Sequence, residues 1–180
     1  MNPNLQAFPL SSKLLHWIMA ILIVSMLFIG IGMVATVSSR YLTLVSIHKP
    51  IGIAILALVI IRLANRIIHP PPALPRSMPV LQRVAAHASH LLLYALMLAM
   101  PLIGWGMLSA GGYPVVLAGA VQLPSFLPHD AHLYATLRQA HTLGAFLLLA
   151  VLLLHIAAAL YHGLIRRDGV LESMTTASGR

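Results

Sequence analysis

The sequence predicts an all-α membrane protein, a bundle of four transmembrane helices. Three observations lead there. The chain of 180 residues is 59% hydrophobic and only 8% charged, with a mean hydropathy of +0.92. An ordinary soluble domain carries about 25% charged residues. The apolar residues gather in four runs, each supplying the roughly 20 helical residues that a hydrocarbon core of about 30 Å demands. The three acids, Asp130, Asp168 and Glu172, fall outside every run. This composition excludes a soluble globular enzyme and a disordered regulator, and it leaves little room for chemistry built on paired carboxylates. A formal charge of +8 is a feature of nucleic-acid binders. Here the cations flank apolar runs, where they set orientation in a bilayer, so no nucleic-acid partner is expected. With no cysteine, disulfides, iron–sulfur clusters, thiolate metal sites and thioether-linked haem are excluded.

The chain reads as one integral-membrane domain over 1–180. Its spans fall at about 14–37, 47–68, 84–108 and 137–165, too long and too evenly apolar for strands. Lys13 before the first run, and small residues near Ala35 and Ser38 after it, resemble a signal peptide. Its apolar stretch exceeds the roughly 7–15 residues of such a segment, so it is read as a retained span. Ser38, Ser39 and Arg40 break the first pair of spans. Pro70-Pro71-Pro72, with Pro75 and Pro79, cannot continue a helix and predict an extended polyproline linker. Gly111-Gly112, Pro114, Pro124 and Pro128 mark a longer loop before the fourth span. Residues 166–180 read as a mobile cytoplasmic tail.

Orientation follows from the cations. One side collects Lys13, Arg62, Arg66, Arg76, Arg83, Arg166, Arg167 and Arg180, and the other collects Arg40, Lys49 and Arg138. Eight against three puts both termini in the cytoplasm. Trp17 and Trp105 lie near span ends, where interfacial aromatics belong.

Ten histidines in so apolar a chain demand a reason. Seven lie in a span or at its edge: His16, His48, His87, His90, His141, His155 and His162. Ionisable groups in spans are costly and point to function. His48 and His141 stand alone at the outer depth. His155 follows His141 by about 21 Å along the same helix and within about 40° of the same face. The fourth span thus offers two imidazoles to the bundle interior at two depths. Two stacked haems need that arrangement, each with two axial imidazoles and noncovalent, b-type binding. Zinc requires three or four ligands at one level, and the outer level holds two. Small residues one turn from a ligand, Ala20, Gly52, Gly144, Ala158 and Ala159, leave space for a macrocycle. At the inner level His155 has three candidate partners, His16, His87 and His90, and spacing does not choose among them.

Leu15-His16-Trp17, Ile47-His48, His87-Ala-Ser-His90 and the pair His141 and His155, with the segment from His155 to His162 and the triproline linker, resemble the bacterial cytochrome b561 family. The resemblance spans about residues 11–167. It implies two b-type haems in a four-helix bundle of the bacterial inner membrane. By motif position it assigns His16 with His155 to the inner haem and His48 with His141 to the outer. It also implies electron exchange with quinone, and superoxide oxidation with the electrons passed to ubiquinone. Relatives serve as cytochrome b subunits of hydrogenases and formate dehydrogenases, so a dehydrogenase partner is the alternative. The compact length favours the free-standing form.

The remaining assignments concern substrates. Arg40, Lys49 and Arg138 form an outer cation patch, with His129 and His132 in the adjoining loop. Such a patch draws a small anionic one-electron donor. Arg138, one turn before His141, is also the expected propionate partner. His90 and His162, and after them His87, are candidates to hydrogen-bond a quinone or relay its protons. A reading of another class is a haem-free metal or proton carrier that uses the histidines directly.

Overall fold

The computed structural model describes residues 7–75, 77–117 and 121–175. The four apolar runs form four long helices, α1 (Leu10–Ala35), α2 (Arg40–Ile68), α3 (Val80–Ala110) and α4 (Ala131–Leu160). Each is long and apolar enough to cross a membrane. The helices extend beyond the hydropathy limits because caps and prolines, rather than apolar residues, start them. Pro9 and Pro79 precede α1 and α3, and a proline at a helix start gives up a donor that has no partner there. Asp130 caps α4 by accepting from the Leu133 backbone N–H at 2.8 Å, which satisfies one of the free donors of the first turn. The first turns of α4 carry His132 and Arg138, so hydropathy placed that start about six residues late.

α1 packs on α2, α2 on α3, and α3 on α4. All four meet in one central core: Met19 and Ile23 of α1, Ile55 and Val59 of α2, Leu96, Met97 and Met100 of α3, Leu148 and Val151 of α4. Large apolar side chains such as Phe28, Phe146 and Leu154 point outward and stay exposed. Outward apolar surface of this extent suits lipid rather than water.

The two ends of the bundle differ. At one end α1 starts, α2 stops and α4 stops, and we call it the terminal end. After α2 the chain from 70 to 75 is neither helix nor strand, as its prolines require. The opposite end carries a β-hairpin that the sequence did not announce. β1 (Val115–Leu117) pairs antiparallel with β2 (Val121–Leu123), Val116 opposite Gln122. Three-residue strands are too short to show periodicity, yet Val115 is buried and β1 packs against α2.

Much of the supposed tail also differs from expectation. α4 runs into a π-helical turn, Tyr161–Arg166, which Arg167 ends in the left-handed conformation with φ 49°. Gly169, with φ 83°, then reverses the chain into the short α5 (Glu172–Thr175). The Phe8 N–H donates to Ser173 O at 3.1 Å, and Trp17 Nε1 donates to Met174 O at 3.3 Å. Leu171 lies against Gly163, where no Cβ fits. Residues 168–175 are therefore folded onto the start of α1. Arg76, Arg180 and the rest of 176–180 lie outside the described residues.

Candidate functional site

Helical spacing turns the histidines inward. Along α4, His141, Leu148 and His155 are separated by about two turns each, and seven steps of about 100° return within about 20° of one direction. Leu148 is in the core, so both imidazoles share its inward face, on either side of it. The same spacing recurs on α1 between His16 and Ile23, and on α2 between His48 and Ile55, with Ile23 and Ile55 in the core. α1 runs away from the terminal end and α2 runs toward it. His16 therefore joins His155 at the terminal end, and His48 joins His141 at the hairpin end.

The pairs are spaced alike. The ring centroids of His48 and His141 are 6.2 Å apart, and those of His16 and His155 are 6.3 Å apart. A coordinated imidazole nitrogen lies about 2 Å from its metal; with half a ring added on each side, two imidazoles trans across one metal put their centroids about 6 Å apart. Both pairs match that separation. Among the described residues, no three His, Asp or Glu side chains converge to hold a bare metal ion.

At the hairpin-end pair, His48 Nδ1 and His141 Nδ1 are buried with no hydrogen-bond partner among the described residues. The Met100 backbone approaches the His141 ring without reaching hydrogen-bond geometry at Nδ1. Gly104 of α3 allows close approach, since a Cβ there would lie 3.2 Å from His141 Cε1. Gly144, which the sequence suggested as space for a macrocycle, faces α3 instead: a Cβ there would meet Met100 Sδ at 2.6 Å.

The terminal-end pair is crowded with polar groups. His90 brings a third ring to His155, at 5.4 Å between centroids, shorter than the trans separation. Arg62 donates from Nη2 to His16 Nδ1 at 3.1 Å and from Nε to the Tyr94 hydroxyl at 3.0 Å. His162 Nδ1 lies 2.7 Å from Asp168 Oδ2, and Arg166 Nε donates to the same oxygen at 3.2 Å. Asp168 thus folds back to supply the carboxylate that the spans themselves lack. His87 Nδ1 donates to the Arg83 carbonyl at 2.7 Å within its own helix, apart from the His155 group.

Of the outer cations, Arg40 and Arg138 are exposed, while Lys49 is half-buried and donates from Nζ to Pro114 O at 3.3 Å, tying α2 to the residue before β1. His129 packs its ring against Gly112. Asp130, at the start of α4, is held below the usual carboxylate range chiefly by the Leu133 N–H. Sequence reading missed Arg62 and Tyr94 as site residues, and Gly104 as the neighbour of His141. Arg62 and Tyr94 carry a signal after the fact: Arg62 stands two turns from core residue Ile55 and Tyr94 one turn from core residue Met97, polar groups set close to an apolar interior.

Comparison with known proteins identifies the family. A family model described as prokaryotic cytochrome b561 matches residues 7–177. Cytochrome b561 homolog 2 of Escherichia coli K12 is 32% identical over 166 residues, 91% of this chain and 88% of that protein. A protein of Yersinia pestis named probable superoxide oxidase is 33% identical over 129 residues, covering 71% and 72% of the two chains. Cytochrome b561 homolog 1 of E. coli K12 is 29% identical over 167 residues, 89% and 92% of the two. The chain belongs to the prokaryotic cytochrome b561 family. It is a multi-pass membrane cytochrome of an electron-transfer family that binds haem b.

Proposed function

We propose that this family member moves electrons across the bacterial inner membrane through two haem b groups, from superoxide at the hairpin end to ubiquinone, with both termini in the cytoplasm. In this reading His48 and His141 would hold the haem at the hairpin end, and His16 and His155 the haem at the terminal end. The observation that carries it is the matched spacing of the two pairs, 6.2 and 6.3 Å, on either side of one apolar core. The residues fit the group: two imidazoles face each other at each level with room for one metal between them, and at the hairpin end two buried ring nitrogens have no hydrogen-bond partner among the described residues. When bound there, haem would supply a one-electron couple.

The protein supplies the rest. Helix spacing sets the rings and the core keeps water from between the tiers. Exposed Arg40 and Arg138 attract an anion to the hairpin end. His90, and His162 with Asp168, offer a quinone hydrogen bonds and a route for its protons at the terminal end. The superoxide part is supported by the name of the Yersinia relative.

The test is a haem count joined to kinetics on the purified protein. Two acid-acetone-extractable haems per chain are expected, reduced by superoxide and reoxidised by a ubiquinone analogue. A ratio near one would overturn the two-haem reading. Reduction by quinol but not by superoxide would reverse the direction. His90→Ala and His162→Ala should slow reaction with the quinone analogue while both haems remain.

A further inference from the structure

Among the described residues, no carboxylate pairs with two arginines of the terminal end. Arg62 and Arg66 stand one turn apart on α2, so they share a face. Both guanidiniums lie over the ring of Tyr94, 5.8 and 5.6 Å from its centroid. Among the described residues, the carboxylate of Asp168 is taken by His162 and Arg166, and none pairs with Arg62 or Arg66. Half-buried charge at the end of a span is costly without a counter-charge. A cleft of about 20 Å³ opens where Arg62, Arg66 and Tyr94 meet, room for one oxygen-sized group.

Arg62 Nη2 also lies 3.1 Å from His16 Nδ1, so an anion held by Arg62 would sit beside the terminal-end pair. The planar fork of an arginine matches a carboxylate better than it matches an imidazole nitrogen.

We propose that Arg62 and Arg66, braced by Tyr94, form the clamp for the propionate carboxylates of the terminal-end haem. The proposal rests on the reading of His16 and His155 as the pair that would hold that haem.

The experiment follows haem loss from the purified holoprotein to an excess of apo-globin scavenger. The kinetic phase abolished by His16→Ala marks the terminal-end haem. Arg62→Gln with Arg66→Gln should speed that phase about tenfold or more, the scale of one charge-assisted hydrogen bond, and leave the other phase unchanged as a check on the fold. Exchange with protohaem dimethyl ester, which lacks the acid groups, is the second arm. In the terminal-end phase the parent protein should hold protohaem longer than the ester, and the double variant should hold both equally. If the double variant still prefers protohaem, or the parent protein never does, the clamp is wrong. Lipid phosphate is the competing anion. If the variant keeps wild-type haem-loss rates but sheds bound phospholipid phosphorus, the arginines serve lipid and the proposal falls. A His16→Ala protein that retains two haems refutes the axial pairing itself, which is a different failure.

Discussion

The two histidine tiers have the same spacing and opposite surroundings. At the hairpin end His48 and His141 face each other with their Nδ1 atoms buried and unpartnered. At the terminal end His155 faces two rings, His16 is held by Arg62, and His162, Asp168 and Arg166 form a network nearby. Spacing alone therefore does not distinguish the tiers, and their surroundings do. A pair with few polar neighbours suits an electron transfer step. A pair ringed by donors and titratable groups suits a step in which protons accompany the electrons, as reaction with a quinone requires.

The largest expected effect separates the tiers outright. His48→Ala or His141→Ala should remove one haem per chain and leave the other, and His16→Ala or His155→Ala should do the converse. Haem content and a redox titration of each variant measure this. If His90→Ala removed the terminal-end haem and His16→Ala did not, the 5.4 Å pair would be the ligand pair and the centroid argument would fail.

A smaller effect probes packing rather than ligation. At Gly104 an added Cβ would sit 3.2 Å from His141 Cε1 and 3.5 Å from its Nδ1. Gly104→Leu adds three further carbons and must push the ring or the helix, at a cost of about 1–3 kcal/mol. Haem occupancy should fall at the hairpin end alone. Gly30, with nothing within 4 Å of its Cβ position, is the control, and Gly30→Ala should leave both haems in place. Equal loss at both ends would mean that Gly104 stabilises the bundle as a whole.

The contrast also explains what the sequence revealed. Four spans and the face of α4 were legible because 20-residue apolar runs and a 14-residue interval are local patterns. The hairpin-end pair was legible because no other histidine shares its depth. The terminal-end pairing was not, because His16, His87 and His90 all lie near that level, and only three-dimensional placement sets His87 aside on its own helix turn. Arg62 was counted as an orienting cation, since nothing in a linear sequence says that it reaches His16 across 46 positions. The fold of 168–175 was missed for a similar reason. Its anchors, Trp17 to Met174 and Phe8 to Ser173, join the two ends of the chain.

Charge at the hairpin end should matter for rate and not for structure. Arg40→Glu and Arg138→Glu should slow reduction by superoxide at low salt and have less effect at high salt, because screening acts within about 10 Å at 0.1 M. Lys49→Gln should act differently, loosening the link to Pro114 more than steering an anion. Stopped-flow traces across ionic strength, with haem content measured alongside, make the comparison. If Arg138→Glu lowers haem content, Arg138 holds a propionate and the hairpin end has its own clamp.

The smallest expected effect concerns the start of α4, which carries both His141 and His155. The Leu133 N–H holds the Asp130 carboxyl below the usual range. Its folded value is thus lower than its unfolded value of about 3.9. The cap is worth most above that pH and is lost as pH falls through the folded value, when the carboxyl takes a proton. Asp130→Ala should therefore lower thermal stability slightly at neutral pH and match the parent protein in acid, while Asp130→Asn should keep the cap across the range, since an amide oxygen accepts the same bond. Differential scanning of the three proteins between acid and neutral pH checks the sign. None of the three should change haem content. His141 lies about three turns below the cap, beyond the reach of one frayed turn, and His155 lies four turns further. Loss of haem at the hairpin end in Asp130→Ala would mean that the loop before α4, rather than the packed helix, positions His141.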